Sequence, residues 1–439
     1  MNGFSRYART VFRIRSLGVR YFLSEAYKCQ EAWSQRLNSP VIKKINIDEM
    51  YRDLDQTFNT KGKASAIDVD LFSCSVTDES YADELEDIIH RFRLSPSTSD
   101  MLQSTPHVVI RSLIDMGKFE PLMRILNDRL NYGIFPDYYC SNLLMDLMLK
   151  QGQYRDAARV ATFQMLQEDW NHPVTACFCL YACHMYLNHK ENELWEPEPM
   201  DEPVEEVKVR VKYIRNPYFD DHFDLRDTNH LIGKTFVIMS RGLPENDPIR
   251  KSYELIGWAL YEKWDKAKRF LEKLKSSKED GHILMEVVSM IEKAFSGDVK
   301  SESKDQVQAL LDMIKSLPKD KLREEQILLS GMEERLKQAI SQQEKKDITS
   351  QIELYSNWDK ERVQLLKEQI ELYERQMRLK KVEEKKKELA EKEEVLFFFD
   401  KKDELEMMIE KNEEIKRSQK VEEKKKKKET DENYVPPEI

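Results

Sequence analysis

The residues best suited to chemistry in this chain occur in two short stretches, of which the first is rich in thiols. Cys177, Cys179, Cys183 and His184 follow Pro173 in an apolar segment and include the ligand types that zinc prefers. On a helix, Cys179 and Cys183 share one face and the other two candidate ligands lie off it. No Cys-x-x-Cys pair occurs in the sequence to complete a tetrahedral set. The spacing therefore favours cysteines that pack as small apolar side chains.

The second stretch combines carboxylates with a histidine. It contains Asp220, Asp221, His222 and Asp224, which are residue types that bind metals or act as acid and base in enzymes. Such chemistry also needs a nucleophile, a Gly-rich phosphate loop or a further ligand cluster, and the sequence offers no motif of these kinds. We therefore predict that the protein is not an enzyme and has no catalytic residue, metal, cofactor or small-molecule substrate.

The segments around these residues have helical periodicity, and one of them repeats. When the stretch that begins at His107 is shifted by 35 positions, Gly117 falls on Gly152 and Leu122 falls on Ala157. Each copy predicts a helix, a turn at the glycine and a second helix. A repeat of about 34 residues is typical of an α-solenoid, in which helical hairpins stack on one another.

The second copy resembles a pentatricopeptide repeat (PPR). Its matching features are Pro136-Asp137 before the first helix, Asn142 near the helix start, the Lys150-to-Gly152 turn, and the Tyr-x-x-Ala motif from Tyr154 to Ala157. In PPR proteins that read RNA, one residue near the start of the first helix and the residue that closes the repeat contact a base. The resemblance therefore implies that Asn142 faces RNA.

The resemblance pairs Asn142 with His172, and His107 with Asp137, as the residues that would read bases. A histidine in each pair departs from the usual PPR choices, and two repeats address only about two nucleotides. We therefore expect shape and phosphate contact rather than sequence reading. Asn142 alternatively forms a hydrogen bond within its own hairpin.

The first residues of the chain predict delivery to mitochondria, with a basic arm on a cytosolic protein as the alternative. Residues 1–24 hold Arg6, Arg9, Arg13, Arg15 and Arg20 and no Asp or Glu, which is typical of a mitochondrial targeting segment. The formal net charge of the chain is −10, so any contact with RNA must be local. No run of about 18 apolar residues occurs, and we predict no membrane span. The six cysteines show no disulfide framework, which indicates a reducing compartment.

Several short motifs extend the resemblance over roughly the first 190 residues. They are RYFLSEAY at 20–27, DQTF at 55–58, FRLSP at 92–96, and YGIFPD, NLLMD and YRDA between 132 and 157. With these motifs the chain resembles the PPR-containing family of the mitochondrial small ribosomal subunit that carries the number twenty-seven. The resemblance implies a structural protein of the mitochondrial matrix that docks on small-subunit rRNA and on other mitochondrial ribosomal proteins. A free PPR factor for transcript stability or processing, and a coiled-coil adaptor without RNA contact, stay as alternatives.

An extended insertion is predicted near residues 188–225. Within it, valines and a tyrosine alternate with basic residues from Val207 to Tyr213, the only clean strand signal in the chain. The basic side chains form the second candidate RNA-facing group, namely Lys208, Arg210, Lys212 and Arg215. A solvated edge is the alternative interpretation.

The C-terminal region is predicted to be a long charged arm. Apolar residues at spacings of three and four form a heptad stripe that needs a partner helix, and they are Val363, Leu366, Ile370, Tyr373 and Met377. A second candidate docking point is the apolar run that contains Leu396, Phe397, Phe398 and Phe399.

We therefore predict an all-α protein, an α-solenoid of PPR-like helical hairpins with a long charged C-terminal helical arm. The predicted parts are a targeting segment (1–24), an N-terminal helical cap (25–98), the solenoid with its insertion (99–318), the long helix or coiled coil (319–428) and a flexible tail (429–439).

Overall fold

The computed structural model describes residues 22–189, 195, 220–276, 282–295, 301–318, 321–323, 327–395 and 401–432. Four predicted features lie wholly or mostly outside these residues. They are the targeting segment 1–24, the basic group Lys208, Arg210, Lys212 and Arg215, the apolar run Leu396, Phe397, Phe398 and Phe399, and most of the tail 429–439.

The described residues confirm the all-α prediction. The helices before the repeated region are α1 (Gln30–Gln35), α2 (Ile47–Lys61), α3 (Ala66–Ser75) and α4 (Ala82–Leu94). The next group comprises α5 (Ser104–Asp115), α6 (Phe119–Asn127), α7 (Arg129–Tyr132), α8 (Tyr138–Gln151), α9 (Tyr154–Leu166) and α10 (Pro173–His189). After the insertion come α11 (Thr228–Met239), α12 (Pro248–Leu260), α13 (Trp264–Ser276), α14 (Glu286–Ala294) and α15 (Ser301–Lys315). The chain continues with α16 (Leu328–Val395) and α17 (Lys402–Glu432).

Strand structure is minimal in the part of the chain that the structure describes. Its two strands, β1 (Ile283–Leu284) and β2 (Leu322–Arg323), have two residues each and pair in parallel, with Ile283 opposite Leu322.

The two sequence copies form two helical hairpins, α5 with α6 and α8 with α9. The equivalent glycines Gly117 and Gly152 both adopt positive φ, at 70° and 75°, which ends the first helix of each hairpin as predicted. Helix α8 begins where the Asp137 carboxylate accepts a hydrogen bond from the Cys140 backbone N–H at 2.6 Å. Ala157 and its small neighbours on α9 are fully buried, which allows α8 and α9 to pack closely.

The contacts between residues divide the chain into two compact units. The first unit is residues 1–363, and the second unit is residues 364–439. The first part of α16 belongs to the first unit and contributes buried apolar side chains to it, including Leu328, Met332, Leu336 and Trp358. The helical arm predicted to begin at residue 319 thus starts as part of the folded body, because its early turns carry apolar residues that complete the core.

In the second unit, most described side chains are exposed to solvent. The exposed fractions are 50% for Ile370, 62% for Tyr373 and 40% for Met377. No described helix combines the length and hydrophobicity that a membrane crossing requires.

Candidate nucleic-acid interface

The four residues that the PPR resemblance assigns to base reading lie near the starts of three helices, α5, α8 and α10. His107 is in the first turns of α5, Asp137 caps α8, Asn142 is in α8, and His172 directly precedes α10. His107 Nδ1–H donates to Asp137 Oδ2 at 2.6 Å, so the predicted pair His107 and Asp137 are bonded to each other.

The segment before α1 covers Asn142. Tyr27 of this segment is fully buried, stacks on Tyr139 with ring centroids 5.0 Å apart, and its hydroxyl accepts a hydrogen bond from Asn142 Nδ2 at 3.1 Å. Asn142 is itself 0% exposed. The RNA-facing role predicted for Asn142 is therefore corrected, because its amide lies inside the first unit and is bonded to the protein's own Tyr27.

Helix α16 covers the two histidines. The Tyr355 hydroxyl lies 3.0 Å from His107 Nε2, and the edge of the Trp358 ring packs on His107 with ring centroids 5.0 Å apart. Farther toward the start of α16, His172 Nε2–H donates to Asp347 at 3.2 Å, and the Tyr27 hydroxyl donates to the same carboxylate at 3.3 Å. All four predicted base-reading side chains are therefore engaged by other parts of this chain or by one another.

Two ion pairs hold the same part of α16 on either side of these contacts. Arg335 donates to Asp247, the cap of α12, at 2.8 Å, and Arg362 donates to Asp70 of α3 at 2.6 Å. Four residues of α16 therefore each contact a partner that lies earlier in the chain than the partner before it. The pairs are Arg335 with Asp247, Asp347 with His172, Tyr355 with His107, and Arg362 with Asp70. We call these eight residues the seam. The seam extends over about 40 Å of helix at 1.5 Å per residue.

Charge at the centre of the seam is locally balanced. Burial alone would raise the pKa of the Asp137 carboxyl, but the His107 ring and the Cys140 N–H hold that pKa below its ordinary value. Asp137 therefore stabilises the fold as a carboxylate. This contribution is present above the pKa of the unfolded chain and is lost as the pH falls through the lower pKa of the folded state.

His107, Asp137 and Cys140 also form a group whose ligand-type atoms all lie within 4.8 Å of one another. The 2.6 Å separation of His107 Nδ1 and Asp137 Oδ2 is a hydrogen bond, and it is shorter than the roughly 3.3 Å that separates two ligands of one tetrahedral zinc ion. Burial raises the pKa of the Cys140 thiol well above its ordinary value, which keeps the sulfur protonated. The geometry fits a hydrogen-bonded helix cap.

The thiol-rich stretch lies inside α10. Cys177, Cys179, Cys183 and His184 are all buried, and the cysteines are free thiols. Burial raises the pKa of Cys177 to about 12 and lowers the pKa of His184 from 6.5 to about 4. His184 Nδ1 lies 2.8 Å from the Tyr253 hydroxyl, which links α10 to α12.

His184 is expected to make stability depend on pH. Because its pKa in the folded state is about 4, below the ordinary 6.5, the unfolded chain takes up a proton first as the pH falls. The first unit should therefore lose about 2 kcal/mol from this group between about pH 7.5 and about pH 5. Urea unfolding at both pH values measures this loss.

A His184→Gln variant keeps a polar partner for Tyr253 but cannot titrate, and it supplies the control. The decrease in stability between the two pH values should be about 2 kcal/mol smaller in this variant than in the natural protein. Equal decreases in both proteins would contradict the assignment.

The carboxylates of the second chemical stretch hold a loop together. Asp220 Oδ1 accepts backbone hydrogen bonds from His222 at 2.9 Å and from Asp224 at 3.0 Å, and Asp221 pairs with Lys263 at 2.8 Å. His222 Nε2 bonds to the Leu166 carbonyl at 2.9 Å, which fastens the loop to the end of α9. These contacts give the stretch a structural role.

A surface that sequence reasoning missed lies beside this loop. A pocket of about 940 Å³ is bordered by α6, α7, α9 and the chain before α11. Five arginines line it, namely Arg124, Arg129, Arg155, Arg159 and Arg226. These residues are scattered over about 100 positions of sequence, so no local motif could reveal their convergence.

The predicted partner-docking stripe is divided between the two units. Val363 is half-buried at the end of the first unit, and Leu366 is half-buried in the second. Ile370, Tyr373 and Met377 present exposed apolar surface on one side of the same helix.

Comparison with known protein families agrees with the resemblance noted in the sequence motifs. The family described as mitochondrial 28S ribosomal protein S27 matches residues 2–388, which is most of the chain. The matched range includes the repeated hairpins, the seam and much of α16. The chain therefore belongs to the family of mitochondrial 28S ribosomal protein S27, a family of proteins of the mitochondrial small ribosomal subunit.

Proposed function

We propose that this protein is a structural, non-catalytic component of the mitochondrial small ribosomal subunit that docks on rRNA and on neighbouring proteins without reading RNA sequence, and so supports mitochondrial translation. The targeting segment 1–24 would deliver it to the matrix. The family match over residues 2–388 supports the ribosomal role, and the seam supports the absence of sequence reading.

The hairpins support an α-solenoid of PPR-like repeats as the docking body. Helix α9 packs against α8 and α10, and α10 also packs against α11, which in turn packs against α12. Contacts between neighbours along the chain are what a solenoid requires. We include this arrangement in the proposal, with the N-terminal helices α2, α3 and α4 as a cap.

The seam weakens the alternative of a free sequence-reading PPR factor. A base that reached His107 or His172 would have to displace Tyr355 or Asp347 and would leave a buried polar group without its partner. Such an unmatched group costs about 1–3 kcal/mol, and the apolar residues of α16 would also be exposed. A docked protein keeps these contacts intact.

The exposed stripe on α16 is proposed to bind a neighbouring ribosomal protein, and the apolar run Leu396–Phe399 is proposed as a further docking point. Replacing Ile370, Tyr373 and Met377 with aspartate should leave thermal stability unchanged, because the three side chains are largely exposed. Retention on the small subunit at moderate salt should fall about tenfold, since apolar anchors carry much of the energy of an interface.

A Leu372→Asp, Leu379→Asp variant is the matched control for the stripe. Both leucines are similarly exposed, at 58% and 55%, but lie on another side of the helix. Equal retention of the two variants would contradict a docking role for the stripe.

Sedimentation of a mitochondrial lysate on a sucrose gradient, with and without EDTA, tests the proposed function. Removing Mg²⁺ separates the two ribosomal subunits, so a component of the small subunit should migrate with small-subunit rRNA in both gradients. Recovery of the protein in light fractions would contradict the proposal. Crosslinking to RNA would then separate the transcript-factor and coiled-coil alternatives.

A further inference from the structure

Among the described residues, two guanidinium groups of this arginine pocket have no anionic partner. Arg129 is half-buried, and within the described residues no carboxylate lies within ion-pair distance of it. The neighbouring Asp128 is already used, because it accepts hydrogen bonds from the backbone and side-chain N–H groups of Asn131. Arg226 is exposed and likewise has no ion pair to a described residue. The Arg129 guanidinium lies 5.8 Å from the centre of the Phe223 ring, a weak attraction that leaves its charge available to an anion from outside.

The remaining arginines of the pocket are neutralised within the protein. Arg155 and Arg159 share the Asp156 carboxylate, at 3.0 and 3.7 Å. Arg124 forms a two-point contact with Glu86, with distances of 2.9 and 2.6 Å. Within the part of the pocket that the structure describes, Arg129 and Arg226 are therefore the arginines left without an ion pair.

Aromatic rings and an unpaired hydrogen-bond acceptor line the same pocket as these arginines. The half-buried rings of Phe119 and Trp195 line the pocket, and the Arg159 guanidinium lies 5.4 Å from the centre of the Trp195 ring. Gln153 also lines it, and its Oε1 is buried without a hydrogen-bond partner among the described residues. A pocket of about 940 Å³ is at the upper end of the usual range for ligand sites, about 300–1,000 Å³, and accommodates a nucleotide.

This combination favours RNA over an acidic peptide. Bases stack on aromatic rings while arginines bind the phosphates between them. The Gln153 carbonyl can accept a hydrogen bond from a ribose 2′-hydroxyl or a base amine. An acidic peptide would use the charge of the pocket but would leave its half-buried aromatic rings without a stacking partner.

We infer that this pocket binds the backbone and a splayed base of a single-stranded rRNA segment. The pocket lies on the side of α6 and α9, which are the second helices of the two hairpins. Arg129 and Arg226 would contact phosphate. The inference deepens the proposed function and rests on it. The surface differs from the one that PPR repeats use to read bases, which the seam occupies.

The position of the pocket connects it with the basic stretch found in the sequence. Trp195 precedes the stretch that contains Lys208 to Arg215, and Leu225 and Arg226 follow it. All three of these flanking residues line the pocket. Two described parts of the insertion and its end, Trp195 and Leu225-Arg226, therefore lie at the inferred RNA site.

Fluorescence anisotropy of the full-length protein with a labelled oligouridylate of about ten nucleotides tests the inference. The Arg129→Glu, Arg226→Glu variant should bind about tenfold or more weakly than the natural protein. Over about 50–200 mM salt, the slope of log affinity against log salt should become shallower by about 1.4, which is the value for two lost single-strand phosphate contacts. An oligoglutamate of similar length serves as the competing probe.

Two further variants separate binding from folding. Arg226→Glu alone changes an exposed side chain and should still weaken RNA binding, while Arg269→Glu, which is exposed on α13 away from the pocket, should leave binding unchanged. Unchanged RNA affinity in both pocket variants would overturn the inference, and so would displacement of RNA by oligoglutamate at equal concentration. Either result leaves cosedimentation with the small subunit intact, whereas loss of cosedimentation by the natural protein would remove the proposed function itself.

Discussion

Replacing Arg362 with methionine is expected to lower the free energy of unfolding of the first unit by about 4 kcal/mol. The Arg362 side chain is buried, and its Nε–H donates to Asp70, which is 0% exposed. Asp70 also accepts hydrogen bonds from the Ser104 and Thr105 hydroxyls at 2.6 and 2.8 Å. Without Arg362, the carboxylate would keep these two bonds but would lose its ion pair while still buried. Urea unfolding followed by tryptophan fluorescence measures the effect, because Trp358 lies one turn away on α16.

Two further variants test whether this loss comes from the buried ion pair. An Asp70→Asn, Arg362→Met variant should lose clearly less stability than the sum of its single changes, with a coupling of about 2 kcal/mol, because no unpaired charge stays buried. Arg375→Met changes an exposed arginine on the same helix in the second unit and should have no measurable effect. Additive single changes would show that Arg362 and Asp70 do not act as a pair.

Replacing Gly233 with valine is expected to destabilise the first unit by about 4 kcal/mol. Helices α11 and α12 touch at Gly233 and Gly257. A Cβ at position 233 would lie 2.6 Å from the Tyr261 backbone nitrogen and 2.7 Å from the Gly257 carbonyl oxygen. Backbone cannot rotate away as a side chain does, so the two helices would have to separate and open the core between them.

A Gly233→Ala change tests the same helix contact, because the contact decides whether the variant is more or less stable. Alanine is favoured over glycine in a helix by about 1 kcal/mol, so the variant would be more stable if α11 and α12 were apart. Close packing of α11 on α12 predicts instead that Gly233→Ala lowers the stability. Thermal unfolding of the alanine and valine variants decides the matter, and a rise in melting temperature for Gly233→Ala would contradict the helix contact. Thr228→Val, in the first turn of α11, controls for the helix propensity of valine.

The parts of the fold that sequence predicts well are those set by local chemistry. The caps at Asp137 and Gly152 follow from the preferences of single residues, and the hairpins follow from helical periodicity. The burial of the α10 cysteines follows from the mismatch between their spacing and a helix face. Each of these inferences needs only residues within a few turns of one another.

The seam could not be predicted, because its contacts join residues far apart in sequence. His107 and Tyr355 are separated by 248 positions, and Asp70 and Arg362 by 292. The sequence predicts that α16 is one charged helix, but its early apolar residues do not indicate which surface they cover. Asn142 was assigned to RNA by its place in the repeat, and only the fold shows that Tyr27 reaches it first.

The arginine pocket was missed for the same physical reason. Its arginines come from three helices and a loop, and each has an ordinary helical or loop neighbourhood in the sequence. The basic stretch from Lys208 to Arg215 was visible because its charges are consecutive. Its two described flanks converge on the pocket, which links a local sequence signal to a surface that depends on the fold.

We propose that this protein contacts rRNA while its own α16 covers the positions at which PPR proteins read bases. Ultraviolet crosslinking of isolated mitochondrial small subunits, followed by mass spectrometry of peptide–RNA adducts, tests it most directly. We predict adducts on peptides that border the arginine pocket, with Trp195 and Arg226 among their residues, and no adducts at the seam. Adducts on His107, Asn142 or His172 would show that RNA enters the base-reading face and would contradict the account.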